Sequence, residues 1–301
     1  MMYDHGANMN VKDKHGRSPL NYACDGGYIT IIKTLIKMGV DINTQDHRKK
    51  TPLLIVSERW VLRRIHNDYI TAKLLLDAGA DPSLTDIEQN NALFTAARCG
   101  HNGLLHIILQ KQDRRATPHT RSPGGLNPLH AASQHMSCNN VKLLLDWGAD
   151  IDARVQRGIR GPDKLSRLFH RATTGKTALM CAIISVDHRS MELLVRSGAD
   201  INIQDKQGRT ALHQAIKRDA HTTSVLLKAG AKLNTKDNKG KTPIDWAITD
   251  TAPEFRKKIP AVLMRLRREQ ISAEDRSRLE ARMTAYHQPV PLACSVVKVK
   301  K

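Results

Sequence analysis

Aromatic residues are scarce in this chain: three Phe, three Trp and five Tyr make up 4% of 301 residues. Packing must then rest on Leu, Ile and Ala, which suits small helices better than one large ring-filled core. No run approaches the roughly 20 apolar residues of a membrane span, and the first residues lack a signal-peptide core. The five cysteines, Cys24, Cys99, Cys138, Cys181 and Cys294, are odd in number and follow no paired spacing. That excludes a disulfide framework and fits reduced thiols inside the cell, in cytoplasm or nucleus. Acidic residues are also few, 29 against 48 Lys and Arg, which leaves a net charge of +19.

What the chain has is a recurring block: Ser18-Pro19-Leu20, Thr51-Pro52-Leu53, Asn91-Ala92-Leu93, Asn127-Pro128-Leu129, Thr177-Ala178-Leu179, Thr210-Ala211-Leu212 and Thr242-Pro243-Ile244. The first residues lie 33, 40, 36, 50, 33 and 32 apart, a beat near 33 kept three times and stretched three times. A small hydroxyl or amide residue followed by Pro or Ala opens a helix, because its oxygen caps free N–H groups and Pro at the first position needs no hydrogen bond. Three residues past the Leu or Ile stands a small residue, Ala23, Val56, Ala96, Ala132, Ala182, Ala215 or Ala247, which allows close helix packing.

About 17 residues after the regular starts come second apolar runs, such as Leu35-Ile36, Leu143-Leu144-Leu145 and Leu193-Leu194-Val195, with a displaced one at Leu74-Leu75-Leu76. These predict second helices in six repeats. Gly39, Gly79, Gly148, Gly198 and Gly230 follow five of them, as left-handed caps require. Helix, turn, helix and finger at this period resemble the ankyrin repeat family, whose signature is Thr-Pro-Leu-His-x-Ala. The resemblance covers roughly residues 1 to 250; Leu129-His130 and Leu212-His213 alone keep the signature His, and the repeat from Asn91 lacks the Gly-Ala-Asp end. It implies an all-α solenoid of helix-turn-helix repeats with hairpin-like fingers, and a binding surface along fingers and first helices.

Apparent catalytic signals fail on inspection. Thr173-Thr174-Gly175-Lys176-Thr177 looks like the end of a P-loop, but His170 stands where the first Gly belongs, and Gly240-Lys241-Thr242 fails likewise at Thr235. His130, His135 and Cys138 offer zinc-type donors without a fourth ligand. No nucleophile elbow or paired-carboxylate motif stands out. The expectation is no enzyme activity and no cofactor.

Charge and insertions carry the remaining information. Residues 1–90 hold 12 Lys or Arg against 11 Asp or Glu, and residues 91–301 hold 36 against 18. The 50-residue interval places its excess in Gln156 to Thr173, a basic arm with Arg157, Arg160, Lys164, Arg167 and Arg171, and with Phe169 as an apolar anchor beside Leu165 and Leu168. Long insertions in compact scaffolds are functional or disordered. The seven extra residues after Thr51 amount to about two helical turns, which would extend the first helix and project Glu58 to Ile65 with Trp60. Basic fingers add Arg48, Lys49, Lys206 and Lys239.

Residues 1–14 read as the end of a truncated repeat, so a fragment of a longer protein is expected. Residues 15–270 read as about seven repeats with an enlarged finger at 156–173, and 271–301 as a short helix and flexible basic tail. Pro260 should kink or restart a helix carrying Phe255, Ile259, Val262, Leu263 and Leu266, and Ser272 with Asp275 opens the next. The expected function is a non-catalytic, monomeric interaction scaffold or adaptor that binds a protein partner with acidic patches. Alternatives are the recognition part of a larger enzyme or ubiquitin-ligase adaptor, and binding of nucleic acid or an anionic membrane through the basic surface.

Overall fold

A computed structural model describes residues 8–59, 67–111, 125–156, 174–249, 258–267 and 271–284. Among them are fifteen helices and no strand beyond an isolated bridge between Thr85 and Asn91. The chain divides into two compact units, Met1–Ala211 and Leu212–Lys301.

The N-terminal unit holds five helical hairpins: α1 (Pro19–Gly26) with α2 (Ile29–Lys37), α3 (Pro52–Glu58) with α4 (Asn67–Asp77), α5 (Ala92–Cys99) with α6 (Asn102–Lys111), α7 (Pro128–Gln134) with α8 (Cys138–Asp146), and α9 (Ala178–Ile184) with α10 (His188–Arg196). Each block does the local work expected of it. Ser18, Thr51, Asn91, Asn127 and Thr177 each accept a hydrogen bond from the backbone N–H three residues on. The hydroxyl or amide caps are themselves buried, so their polar atoms are satisfied where water cannot reach. Gly39, Gly79, Gly148 and Gly198 take positive φ after the second helices, a conformation that costs glycine nothing.

Packing follows two rows. First helices stack α1 on α3, α3 on α5, α5 on α7 and α7 on α9; second helices stack α2 on α4, α4 on α6, α6 on α8 and α8 on α10. Leu20, Leu53, Leu93, Leu129 and Leu179 from the blocks, with Ala23, Val56, Ala96, Ala132 and Ala182, are buried between them. Each hairpin thus closes its neighbour's apolar face rather than enclosing a core of its own.

In the C-terminal unit, α11 (Ala211–Ile216) and α12 (Ala220–Lys228) are followed by α13 (Pro243–Thr249), α14 (Lys258–Arg267) and α15 (Ala273–Thr284). α14 packs on α12, and α15 packs on both α13 and α14. Pro260 sits in the first turn of α14, so the helix starts there and Pro breaks no hydrogen bond. Ile259 and Leu263 are fully buried and so belong to the packing, while Phe255 and the Leu266 side chain lie outside the described residues. Ser272 Oγ accepts from the Asp275 N–H at 3.0 Å, as its spacing predicts, and Leu279 is buried while Met283 is half-buried.

The extension expected after Thr51 falls almost wholly outside the described residues, and the described part of α3 is no longer than α1 or α5. α3 ends at Glu58 with Arg59 as its cap, and the rest of Glu58 to Ile65, Trp60 included, falls outside the described residues. Arg59 donates to the Cys24 carbonyl and lies 3.8 Å from Asp68, both side chains nearly buried.

Candidate interaction surface

Five residues before five of the starts stands an aspartate: Asp13, Asp46, Asp86, Asp205 and Asp237. Each closes a finger. One oxygen of Asp46 accepts from the N–H groups of Arg48 and Lys50, both at 2.8 Å, while the Asp46 N–H donates to the Lys50 carbonyl at 3.2 Å. Asp13, Asp205 and Asp237 repeat the same pair of carboxylate bonds at 2.8–2.9 Å. Neighbouring fingers are tied by the backbone, His47 N–H to the His15 carbonyl at 3.0 Å and Ile87 N–H to the Arg48 carbonyl at 3.0 Å.

The electrostatic result is a division of labour. Finger carboxylates are occupied by backbone N–H groups, while the bases just after them face outward. Arg48 and Lys49 are exposed together on the second finger, and Lys49 adopts φ 55° at its tip. Lys206 is exposed on a separate finger of the N-terminal unit, and Lys239 on one of the C-terminal unit. Trp60, Arg157, Arg160, Lys164, Arg167, Phe169 and Arg171 lie outside the described residues.

The fold adds residues that the sequence reading passed over. Lys14, His15 and His47 are exposed on the first two fingers, and Ile87 is 57% exposed on the third. A signal for them existed: all sit within two residues after a finger aspartate. Ser122 and Ala172 occupy that aspartate position in the other two fingers.

The signature histidines have a structural job. His130 Nε2 bonds the Lys176 carbonyl at 3.2 Å while its Nδ1 accepts from the Asn127 N–H at 3.3 Å; His213 Nε2 likewise reaches the Lys241 carbonyl at 3.3 Å. Each clips a first helix to the residue that precedes the next one. Among the described residues no group of three or more His, Cys, Asp or Glu is arranged to hold a metal. Cys24, Cys99, Cys138 and Cys181 are free thiols, and burial pushes Cys24 and Cys181 up to about 12, away from thiolate chemistry.

A second surface lies on the first hairpin. Pro19, Tyr22, Ala23, Asp25 and Gly26 of α1, with Tyr28 and Ile31 at the start of α2 and Arg59 at the end of α3, line an open groove of about 620 Å³. No described helix is long and apolar enough to cross a membrane.

Comparison with known proteins fits this architecture. A family model described as ankyrin repeats (3 copies) matches residues 1–58, 62–155 and 179–257. The E3 ubiquitin-protein ligase KEG of Arabidopsis thaliana is 28% identical over 216 residues, which is 69% of this chain and 12% of the ligase. The chain therefore spans about an eighth of that curated relative. The crystal structure of the human ASB11 ankyrin repeat domain superposes with a TM-score of 0.64 at 23% identity, covering 83% of this chain and 98% of that one. The ankyrin repeat domain of Bcl-3, described as a member of the IkappaB family, gives 0.62 at 25% identity over 83% and 99%. Repeats of this type are protein-interaction modules and typically non-catalytic.

Proposed function

The chain belongs to the ankyrin repeat family, and we propose that it is a non-catalytic scaffold, working inside the cell, that recognises a protein partner bearing acidic patches. One observation supports this most. On the fingers the aspartates are consumed by backbone N–H groups, whereas Lys14, Arg48 and Lys49 project from adjoining tips beside the exposed Ile87. A basic edge with one apolar anchor suits an acidic partner segment, and complementary charge chiefly raises association rate and selectivity. Affinity then depends on a few anchors that become buried.

A cross-linking pull-down comparing the intact chain, an Arg48→Glu/Lys49→Glu variant and a form lacking Gln156 to Thr173 tests the reading. Each change should lower recovery of the same partner about ten-fold or more, equivalent to roughly 1.4 kcal/mol, with helical content retained. Unchanged recovery from both altered forms would overturn it. If the captured partner is nucleic acid, affinity will instead fall steeply with added salt through counterion release.

A second reading is supported by the similarity to a ubiquitin ligase over 69% of this chain. In it, these repeats are the recognition part of a larger ligase or its adaptor. Ubiquitin transfer to the captured partner, lost with the Arg48→Glu/Lys49→Glu variant, is its expected signature.

A further inference from the structure

The turn joining the two helices of a hairpin uses a left-handed residue nine positions after the start. In the first and third hairpins it is glycine, Gly27 at φ 71° and Gly100 at φ 80°. In the fourth and fifth it is Met136 and Val186, both at φ 58°. A bulky or β-branched residue is a steric outlier there, whereas glycine adopts the conformation freely. Strained backbone of this kind clusters at binding and switch sites. Neither side chain offsets the strain by burial: Met136 is 61% exposed and Val186 44%.

The two stand side by side. α7 stacks on α9, and the Ser185 hydroxyl of one turn donates to the Gln134 carbonyl of the other at 2.8 Å. The charges around them have one sign. Arg189 is exposed three residues past Val186, and the half-buried Arg98 lies in the last turn of α5, which stacks on α7. Glu58, 3.9 Å from Arg98, is already engaged by Lys50. Asp187 is the one carboxylate in the two turns, and it is buried, accepting from the Ser190 N–H of α10 at 3.1 Å.

We propose that this pair is a docking site for an acidic helix of a protein partner, with Met136 and Val186 each receiving one apolar side chain from it. The site lies at the opposite end of the first helices from the fingers, and it stands whether or not the fingers bind. Spacing selects the occupant. Stacked helices lie about 8–10 Å apart, and so do equivalent positions on neighbouring hairpins. On a helix, residues seven apart share a face and are separated by about 10 Å along the axis. Apolar residues at that spacing therefore meet both anchors at once, and carboxylates flanking them meet Arg98 and Arg189. Opposite charge steers such a helix to this edge, while the apolar contacts set how long it stays.

The glycines of the other turns supply the test. Met136→Gly/Val186→Gly removes both docking groups and relieves the backbone, because Gly27 and Gly100 already hold this conformation. The probe is a labelled synthetic helical peptide with two leucines seven residues apart among glutamates, followed by fluorescence anisotropy on the full chain. The wild type should bind it with a Kd below about 100 μM, and the double variant at least about ten-fold more weakly. The urea midpoint of the double variant should stay or rise. Met136→Asn/Val186→Asn, which tolerates the same φ, should give the same result. Arg189→Glu should weaken binding too, and a peptide with lysines for the glutamates should not bind. Arg48→Glu/Lys49→Glu on the fingers should change the affinity by less than about three-fold at about 0.15 M salt, where charges beyond about 8 Å are screened. A wild type that ignores the peptide overturns the proposal, and so does a Met136→Gly/Val186→Gly variant that binds it undiminished. Lower urea midpoints in both double variants would overturn it as well, since the two residues would then be structural. Release of the peptide by the finger change alone would place it on the fingers, which refutes the site at the turns and leaves the proposed function standing.

Discussion

The first hairpin of the N-terminal unit and the last described helix of the C-terminal unit solve one problem in opposite ways. α15 packs Leu279 inward on α13 and α14 and presents Glu274, Ser277, Arg278 and Glu280 to water. α1 and α2 bury Leu20, Ile32 and Leu35 but leave Tyr22, Tyr28 and Ile31 exposed. Stacked repeats need a polar outer face wherever stacking stops. The difference teaches that the same hairpin logic leaves different outer faces: polar and charged on α15, tyrosine and isoleucine on α1 and α2.

The sharpest way to break that contrast is at Leu279. Its side chain is fully buried, so Leu279→Ala should destabilise the C-terminal unit by about 3 kcal/mol, in the range for deleting a buried leucine. Urea denaturation of the full chain measures it, and hydrogen exchange should show faster opening at α13 and α15. A loss below about 1 kcal/mol would mean that α15 covers little. Arg278 is a smaller lever. Its guanidinium pairs with Asp245 at 3.0 Å and Asp275 at 2.9 Å, tying α15 to α13. With the side chain 42% exposed, water screens both pairs, and Arg278→Ala should cost less than about 1 kcal/mol. A larger loss would mark the pair as the main clamp and demote Leu279.

Much of this was legible in the chain because it is local. The capping residue, the proline, the small residue three past the leucine and the terminal glycine all act within one hairpin, so seven starts and the Ser272 cap could be placed by spacing alone. The role of Tyr22 was not legible. In sequence it occupies the same phase as Ile55 and Ala131, and only a neighbour's presence or absence, a non-local fact, separates core from surface. The position of α15 was hidden for the same reason: its cap is local, but its packing on α13 is not. Ile87 escaped notice as a single apolar residue in a polar turn, without periodicity to flag it. For the fingers, Arg48, Lys49, Lys206 and Lys239 were anticipated from charge, while the aspartates that leave those bases facing outward emerge from backbone geometry.

The smallest effect probes the exposed face of α1 without disturbing its packing. The Tyr22 hydroxyl donates to Asp13, and this hydrogen bond, aided by the N–H groups of Arg17 and His15, holds the Asp13 carboxyl down at about 2. The neighbouring carboxylate in turn raises the Tyr22 phenol. A carboxyl depressed in the folded state adds stability that is fully present above its unfolded value near 3.9 and is lost as pH falls toward about 2. Tyr22→Phe deletes the hydroxyl and keeps the ring, so the Asp13 carboxyl should titrate closer to its ordinary value, still lowered by the two backbone bonds. Carboxyl carbon NMR across the acid range follows it. Because Asp13 is open to solvent, the melting temperature at neutral pH should scarcely move. An Asp13 that still titrates near 2 in Tyr22→Phe would show that the backbone bonds alone hold the carboxyl down.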